Sequence, residues 1–223
     1  MSSVGASVQV GLIETMRARE GRLPWLGRHL ARLQASVAAL GVAAPPDRLN
    51  DLIRFAAGHG DRVVRVQVTD GHAEIATRDM NAEQTISVIV SREVHRPYPY
   101  KTTEREQFGR ALAGARRVGA HDALLVTAEG FAAEGTTWNL FWWDKGVLCT
   151  PAASLGILPG LGRQRIMELA PVEERQARVA ELARRSLFVV NAVRGIVQVE
   201  TFEGAPVPRD PRTAELAAAF WPD

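Results

Sequence analysis

Residues 62–77 carry the pattern of an antiparallel β-hairpin. Valines at positions 64, 66 and 68 alternate with other residues, as in a strand that buries one face. Asp70-Gly71 then supplies the residue types of a two-residue hairpin turn, and a return strand is predicted at 73–77. A sheet with one apolar face needs a second layer to cover that face, so neighbouring segments are expected to supply helices.

Two helices are predicted ahead of this hairpin. Leucine or valine recurs at spacings of three and four over 26–40, which predicts an amphipathic helix, and Pro45-Pro46 begins a second helix that runs to about residue 57. Further strands are predicted at 8–17 and 86–91. We therefore expect residues 1–94 to form an N-terminal α+β lobe with helices against an antiparallel sheet.

A linker and a second lobe are expected to follow. Residues 95–100 contain two prolines and show no apolar periodicity, which is typical of a segment between lobes. Residues 101–223 alternate between helical and strand patterns, which predicts a C-terminal lobe of mixed α/β type. The predicted helices span about 103–117, 163–169, 174–183 and 213–220, and the predicted strands span 123–127, 139–144, 147–150, 187–191 and 195–201.

Composition excludes several classes of protein. The net charge of +2 comes without any long Lys/Arg block, so we expect no nucleic-acid partner. The single cysteine, Cys149, cannot form a disulfide within the chain, and no cluster of His, Cys, Asp and Glu has the spacing of metal ligands. Residues 1–9 do not form a leader pattern and no segment approaches the length of a membrane span, so the cytoplasm is the expected compartment and no membrane contact is predicted.

Three features between residues 101 and 163 are candidates for chemistry. Lys101 follows the proline-containing loop, Glu134 lies in a segment of small residues, and 158–163 (Leu-Pro-Gly-Leu-Gly-Arg) begins a helix, where exposed N–H groups attract phosphate. Each feature alone has an ordinary explanation. Most lysines are solvated, most single carboxylates lie on the surface or cap a helix, and a Pro-Gly pair most often marks a turn.

In combination these features resemble the class-IV aminotransferase family, the fold type IV enzymes that use pyridoxal 5′-phosphate (PLP). Residues 134–141 (Glu-Gly-Thr-Thr-Trp-Asn-Leu-Phe), followed by 148–150 and 158–163, match the family signature in order and spacing. Lys101-Thr102-Thr103 resembles the family's lysine motif. Additional matches are 11–15 (Gly-Leu-Ile-Glu-Thr), 28–33 (Arg-His-Leu-Ala-Arg-Leu) and 191–196 (Asn-Ala-Val-Arg-Gly-Ile). The resemblance implies a two-lobe fold like that of D-amino acid aminotransferase, with a barrel-like C-terminal lobe and a homodimeric assembly.

The resemblance also implies roles for individual residues. Lys101 holds PLP covalently and moves protons at the substrate, which requires a fraction of neutral amine. Glu134 pairs with the pyridine nitrogen and favours its protonation. Arg28 binds the phosphate together with the backbone N–H groups of Leu161 and Gly162.

A last loop is implied to complete the binding of phosphate and substrate carboxylate. It consists of Asn191, Ala192 and Val193, and only a backbone amide is available at Ala192, where family members often have a hydroxyl. Phe108 stands where some members have a tyrosine that touches the cofactor. The chain also begins close to the 11–15 motif, so we expect it to lack the family's usual N-terminal strands.

Three hypotheses for the reaction follow from the resemblance. The first is a 4-amino-4-deoxychorismate lyase of the folate pathway, which releases 4-aminobenzoate and pyruvate; residues 101–105 and 191–195 look most like that branch. The second is an aminotransferase of branched-chain, D- or other small amino acids. The third is a PLP-binding paralogue without turnover. Loop residues His95, Arg96, Tyr98 and Tyr100 are candidates for contacting a substrate carboxylate, although loop packing is the commoner role of such residues.

Overall fold

The computed structural model describes residues 10–80 and 85–222, which form two compact units. One unit contains residues 10–80 with 100–104, and the other contains 85–99 with 105–222. The helices are α1 (Leu26–Leu40), α2 (Leu49–Ala57), α3 (Glu106–Arg117), α4 (Leu161–Leu169), α5 (Val179–Leu182) and α6 (Pro211–Ala218). The strands are β1 (Leu12–Ala18), β2 (Arg62–Thr69), β3 (His72–Asp79), β4 (Thr85–Val94), β5 (Asp122–Val126), β6 (Ala132–Gly135), β7 (Asn139–Asp144), β8 (Val147–Pro151), β9 (Val172–Arg175), β10 (Ser186–Asn191), β11 (Gly195–Phe202) and β12 (Ala205–Pro206).

The first unit is an antiparallel sheet covered by helices, as the hairpin pattern predicts. Its strand order is β1-β2-β3, and the β2–β3 turn places Asp70 and Gly71 at φ 52° and 74°, the backbone region that this dipeptide favours. Val64, Val66 and Val68 are buried in one apolar cluster with residues of α1 and α2. The predicted strand at 8–17 is present as β1, and residues 8 and 9 lie outside the described part of the chain.

The second unit is built around a closed ring of strands. The order β10-β11-β4-β5-β6-β7 returns to its start because β7 also pairs with β10, while β8, β9 and β12 extend this ring. Strands β11, β4 and β5 are parallel, and most other neighbours are antiparallel. Phe141 of β7 and Phe188 of β10 stack at 5.2 Å and are fully buried, so they fix the pairing that closes the ring.

Tertiary pairing accounts for the elements that differ from the sequence predictions. The predicted helix at 174–183 is wrong over most of its length, because residues 172–175 add strand β9 beside β8 and only Val179–Leu182 is helical. Helix α3 begins at Glu106 rather than near 103, because residues 101–103 bond to the start of β1. Strand β6, which holds Glu134, was not predicted as a strand.

The compact units divide the chain differently from the predicted lobes, 1–94 and 101–223. Strand β4 pairs with β5 and β11, which places it in the second unit, whereas residues 100–104 belong to the first unit. Cys149 is buried, as expected for a small apolar residue. Within the described residues, no helix is long and apolar enough to cross a membrane.

Candidate active site

Lys101 lies in the first unit on a short segment paired with β1. The Lys101 carbonyl accepts a hydrogen bond from Ile13 N–H at 2.8 Å, and Thr103 N–H donates to the Gly11 carbonyl at 2.8 Å. A Cβ at Gly11 would lie 2.6 Å from Thr69 Oγ1 and 2.9 Å from Thr103 Cγ2, so only glycine allows the segments to approach this closely. The backbone of the half-buried lysine is therefore fixed by the motif at residues 11–15.

A buried carboxylate network lies on the helix-facing side of β1. Glu14 is 2% exposed, and its oxygens accept hydrogen bonds from His29 Nδ1 at 2.6 Å and from Arg32 at 2.8 and 2.7 Å. Burial raises the pKa of Glu14, but the hydrogen bonds from His29 and Arg32 outweigh it and bring the pKa to about 2. Burial lowers the pKa of His29, and the positive charges of Arg32 and Lys101 act in the same direction.

Sequence reasoning matched Glu14, His29 and Arg32 to family motifs but missed their contact. A signal was present, because Glu14 shares strand parity with Leu12 and Met16, which predicts a position on the apolar face of β1. A carboxylate at such a position requires partners, and a histidine and an arginine three residues apart on one helix face can provide them.

The low pKa of Glu14 predicts a loss of stability in acid. Because the folded-state pKa lies below the ordinary value of 4.5, the stabilisation is fully present above pH 4.5 and is lost as the pH falls toward 2. Relative to Glu14→Gln, the parent chain should lose about 3 kcal/mol of unfolding free energy over this range. Urea unfolding followed by circular dichroism at several pH values measures the difference. An equal pH dependence of the unfolding free energy in both proteins would contradict the low pKa of Glu14.

Glu134 lies in the second unit, beside the turn that joins β6 to β7. Glu134 and Asn139 form the register pair between these strands, and both side chains hold the Leu158 peptide. The Leu158 N–H lies 3.2 and 3.3 Å from the two Glu134 carboxylate oxygens, and Asn139 Nδ2 donates to the Leu158 carbonyl at 3.0 Å. His95 Nε2 lies 3.1 Å from Glu134 Oε1. The carboxylate is buried and accepts hydrogen bonds from two segments of the unit, one at His95 and one at Leu158.

The N-terminus of α4 follows directly after this clamp. Gly160 is the N-cap residue, and no side-chain cap covers the first amides of the helix, including those of Leu161 and Gly162. A Cβ at Gly162 would lie 2.9 Å from Val190 Cγ2 and 3.0 Å from the Asn191 backbone. The glycine therefore lets the helix end pack against the end of β10, and helix N-terminal N–H groups without a side-chain cap can bind anions.

The loop after β10 is ordered by its own asparagine. Asn191 Oδ1 accepts from Val193 N–H at 3.0 Å and from Arg194 N–H at 2.8 Å, and its amide nitrogen donates to the Thr137 carbonyl at 3.3 Å. The Asn191 side chain thus binds the amide of Val193 but not that of Ala192. The predicted ligand roles of Asn191, Ala192 and Val193 stay predictions.

The other candidates have different surroundings. Arg28 is exposed on α1 in the first unit, beside the buried His29. Tyr98 is buried against Phe108 at 4.9 Å, and its hydroxyl accepts from Arg105 at 3.3 Å. Phe108 belongs to an apolar cluster with residues of α3 and β5, which accounts for a phenylalanine there. Arg96 is exposed, and its peptide is held by Gln107.

Comparisons with known proteins agree with this architecture. Probable branched-chain-amino-acid aminotransferases of Rickettsia typhi and Thermotoga maritima are 29% and 28% identical, over 77% and 97% of this chain and 70% and 87% of theirs. The branched-chain aminotransferase of Thermoproteus uzoniensis has a TM-score of 0.85 at 24% identity, covering 94% of this chain and 84% of that structure. A putative 4-amino-4-deoxychorismate lyase from Legionella pneumophila has a TM-score of 0.83 at 21% identity, covering 98% and 96%.

The closed mixed sheet and the small antiparallel lobe are those of the fold type IV PLP enzymes, as the sequence predicted. The family model for amino-transferase class IV matches residues 11–202. The chain therefore belongs to the class IV aminotransferase family, and the predicted family, enzyme class and cofactor type are confirmed at that level.

Proposed function

We propose that this chain binds PLP with Lys101 as the covalent attachment point and acts on a substrate amine. Glu134 pairs with the ring nitrogen, and the phosphate is bound by Arg28 and by the amides of Leu161, Gly162 and Ala192. One observation carries this proposal: the Leu158 peptide contacts Glu134 and directly precedes the helix start. PLP is a rigid ring with a basic nitrogen and a phosphate group, so its site needs a carboxylate and an anion-binding helix end at a fixed separation.

Each residue then has a defined task. PLP, when bound, supplies an electron sink for the carbon that bears the substrate nitrogen. Lys101 removes and returns the proton at that carbon, and Glu134 holds the proton on the ring nitrogen. The positive charges of Lys101 and Arg28 favour an anionic ligand at the first unit.

The reaction that we propose is cleavage of 4-amino-4-deoxychorismate to 4-aminobenzoate and pyruvate. Support comes from the motifs at 101–105 and 191–195, which resemble those of the lyase branch. Lys101 removes the proton from the ring carbon that bears the nitrogen. The ring C–O bond to the enolpyruvyl group then breaks as a ring double bond forms, and the released enolpyruvate takes up a proton to become pyruvate. The ring becomes aromatic, which supplies a driving force that simple transamination lacks.

A second candidate is transamination, with a branched-chain amino acid, a D-amino acid or another small amino acid as the substrate. It is favoured by the names of the two relatives that are 29% and 28% identical to this chain. Lys101 and Glu134 serve both reactions in the same way, so neither residue distinguishes the two reactions.

A pair of assays on the purified protein loaded with PLP separates these candidates. Pyruvate release from 4-amino-4-deoxychorismate, coupled to lactate dehydrogenase, tests the lyase. Conversion of leucine or D-alanine with 2-oxoglutarate tests the aminotransferase. Activity only in the second assay would overturn the lyase proposal, and bound PLP without activity in either would indicate a paralogue without turnover. The predicted homodimer and cytoplasmic location stay predictions.

A further inference from the structure

His95 is held in place by the backbone on both sides of it. Its N–H donates to the Val126 carbonyl at 2.8 Å, which continues the parallel pairing of β4 with β5 by one residue. Arg96 N–H donates to Gln107 Oε1 at 2.7 Å, and Gln107 Nε2 donates to the Arg96 carbonyl at 2.9 Å. Tyr98 N–H then donates to the Gly156 carbonyl at 2.7 Å. The backbone of His95 is therefore held by its own bond to β5, whereas Gln107 holds only the backbone of the residue that follows it.

The His95 ring makes its hydrogen bond to Glu134. Nε2 lies 3.1 Å from Glu134 Oε1, and the two side chains are 1% and 5% exposed. The proton is assigned to Nε2, because a nitrogen lone pair facing a carboxylate oxygen would be repelled. The buried Nδ1 has no hydrogen-bond partner among residues 10–80 and 85–222.

Burying this histidine reduces the stability of the folded protein, so its presence needs an explanation other than packing. A buried imidazole with one unpaired nitrogen loses hydration that an apolar side chain of similar size would not lose. Residues that reduce stability in this way are concentrated at functional sites. The contact with Glu134 accounts for the presence of histidine at this position.

His95 supplies an orientation that Leu158 does not. The terminal torsion of a glutamate side chain is broad, so the carboxylate plane needs an external restraint. Leu158 N–H lies at similar distances, 3.2 and 3.3 Å, from the two carboxylate oxygens and does not distinguish them. His95 contacts Oε1 only and thereby fixes the rotation of the carboxylate plane.

We infer that His95 is a positioning residue that orients Glu134 toward the ring nitrogen of PLP; the inference rests on the proposed function. His95 does not itself touch the substrate. It acts by holding one carboxylate oxygen, so that the carboxylate meets the cofactor without a reorientation cost.

The test compares three variants of the PLP-loaded protein. His95→Leu removes the donor and keeps an apolar side chain of similar size. His95→Gln places an amide N–H at the same distance along the side chain as Nε2. Gln107→Leu releases the neighbouring peptide without touching Glu134. Each is measured for its PLP dissociation constant, its visible spectrum and its thermal unfolding temperature. Its kcat and KM are measured with whichever of 4-amino-4-deoxychorismate, leucine or D-alanine the parent protein converts.

The expected result separates positioning from general packing. His95→Leu should raise the PLP dissociation constant by about tenfold or more and lower kcat to a similar extent, with KM changed by less than about threefold. His95→Gln should recover most of both, and Gln107→Leu should lower the unfolding temperature without changing the spectrum. Parental values in His95→Leu, or equal losses in Gln107→Leu, would overturn the inference. If the parent protein itself binds no PLP, the proposed function fails instead.

Discussion

Replacing Lys101 by arginine is expected to abolish covalent attachment of PLP and to lower turnover by about 10³-fold or more. Arginine keeps the positive charge near the Glu14 network but stays protonated, so it cannot form a covalent bond to the aldehyde or accept a proton. The chain contains only two lysines, Lys101 and Lys145. Peptide mapping by mass spectrometry after borohydride reduction should therefore find the phosphopyridoxyl group on the peptide that contains residue 101.

Lys145 provides a matched control. It lies exposed in the turn between β7 and β8, so Lys145→Arg makes the same chemical change away from the proposed site. This variant should keep the visible absorbance of bound PLP, the mass-labelled peptide and the parental turnover. Label on residue 145, or retained labelling in Lys101→Arg, would refute the role given to Lys101.

Replacing Glu134 by glutamine is expected to lower kcat by about 10²-fold while PLP remains bound. The glutamine oxygen can still accept hydrogen bonds from Leu158 N–H and His95, so the local structure is preserved. What is lost is the negative charge that favours a protonated ring nitrogen. Steady-state kinetics and the visible spectrum of the bound cofactor measure the two consequences separately.

Two further variants separate the loss of charge at Glu134 from the loss of its hydrogen bonds and from a general effect of removing a carboxylate. Glu134→Ala also removes the acceptor for the His95 and Leu158 donors, so it should lose PLP affinity and thermal stability as well as kcat. Glu200→Gln neutralises an exposed carboxylate on β11 and should behave as the parent does. An unchanged kcat in Glu134→Gln would show that the reaction does not need a charge at this position.

Sequence patterns predicted the elements whose backbone hydrogen bonds join residues close together in the chain. Helix α1 has the predicted bounds, Leu26–Leu40, because its apolar spacing is regular and Gly41 adopts the left-handed conformation that ends a helix. The β2–β3 hairpin was predictable because a two-residue turn and alternating valines fix both its register and its buried face. Strand β9 was not predictable, because its backbone partners on β8 lie more than twenty residues earlier.

The candidate site likewise contains residues that local motifs predict and a contact that they do not predict. Lys101, Glu134 and Gly162 were identified from motif order and spacing, which depend on residue types along the chain. The contact between His95 and Glu134 could not be identified from such motifs. The two residues lie 39 positions apart and meet only when β4, β5 and β6 are neighbours in one sheet.

The amino-acid sequence by itself determined the family, the cofactor chemistry and the residues proposed to perform it, because those depend on side-chain types at fixed spacings. The tertiary structure alone decided which donors hold the carboxylate of Glu134, which partners neutralise Glu14, and why glycine is required at positions 11 and 162. These are contacts between segments distant in sequence. Their energies depend on burial and on separations of a few ångströms, which no local pattern specifies.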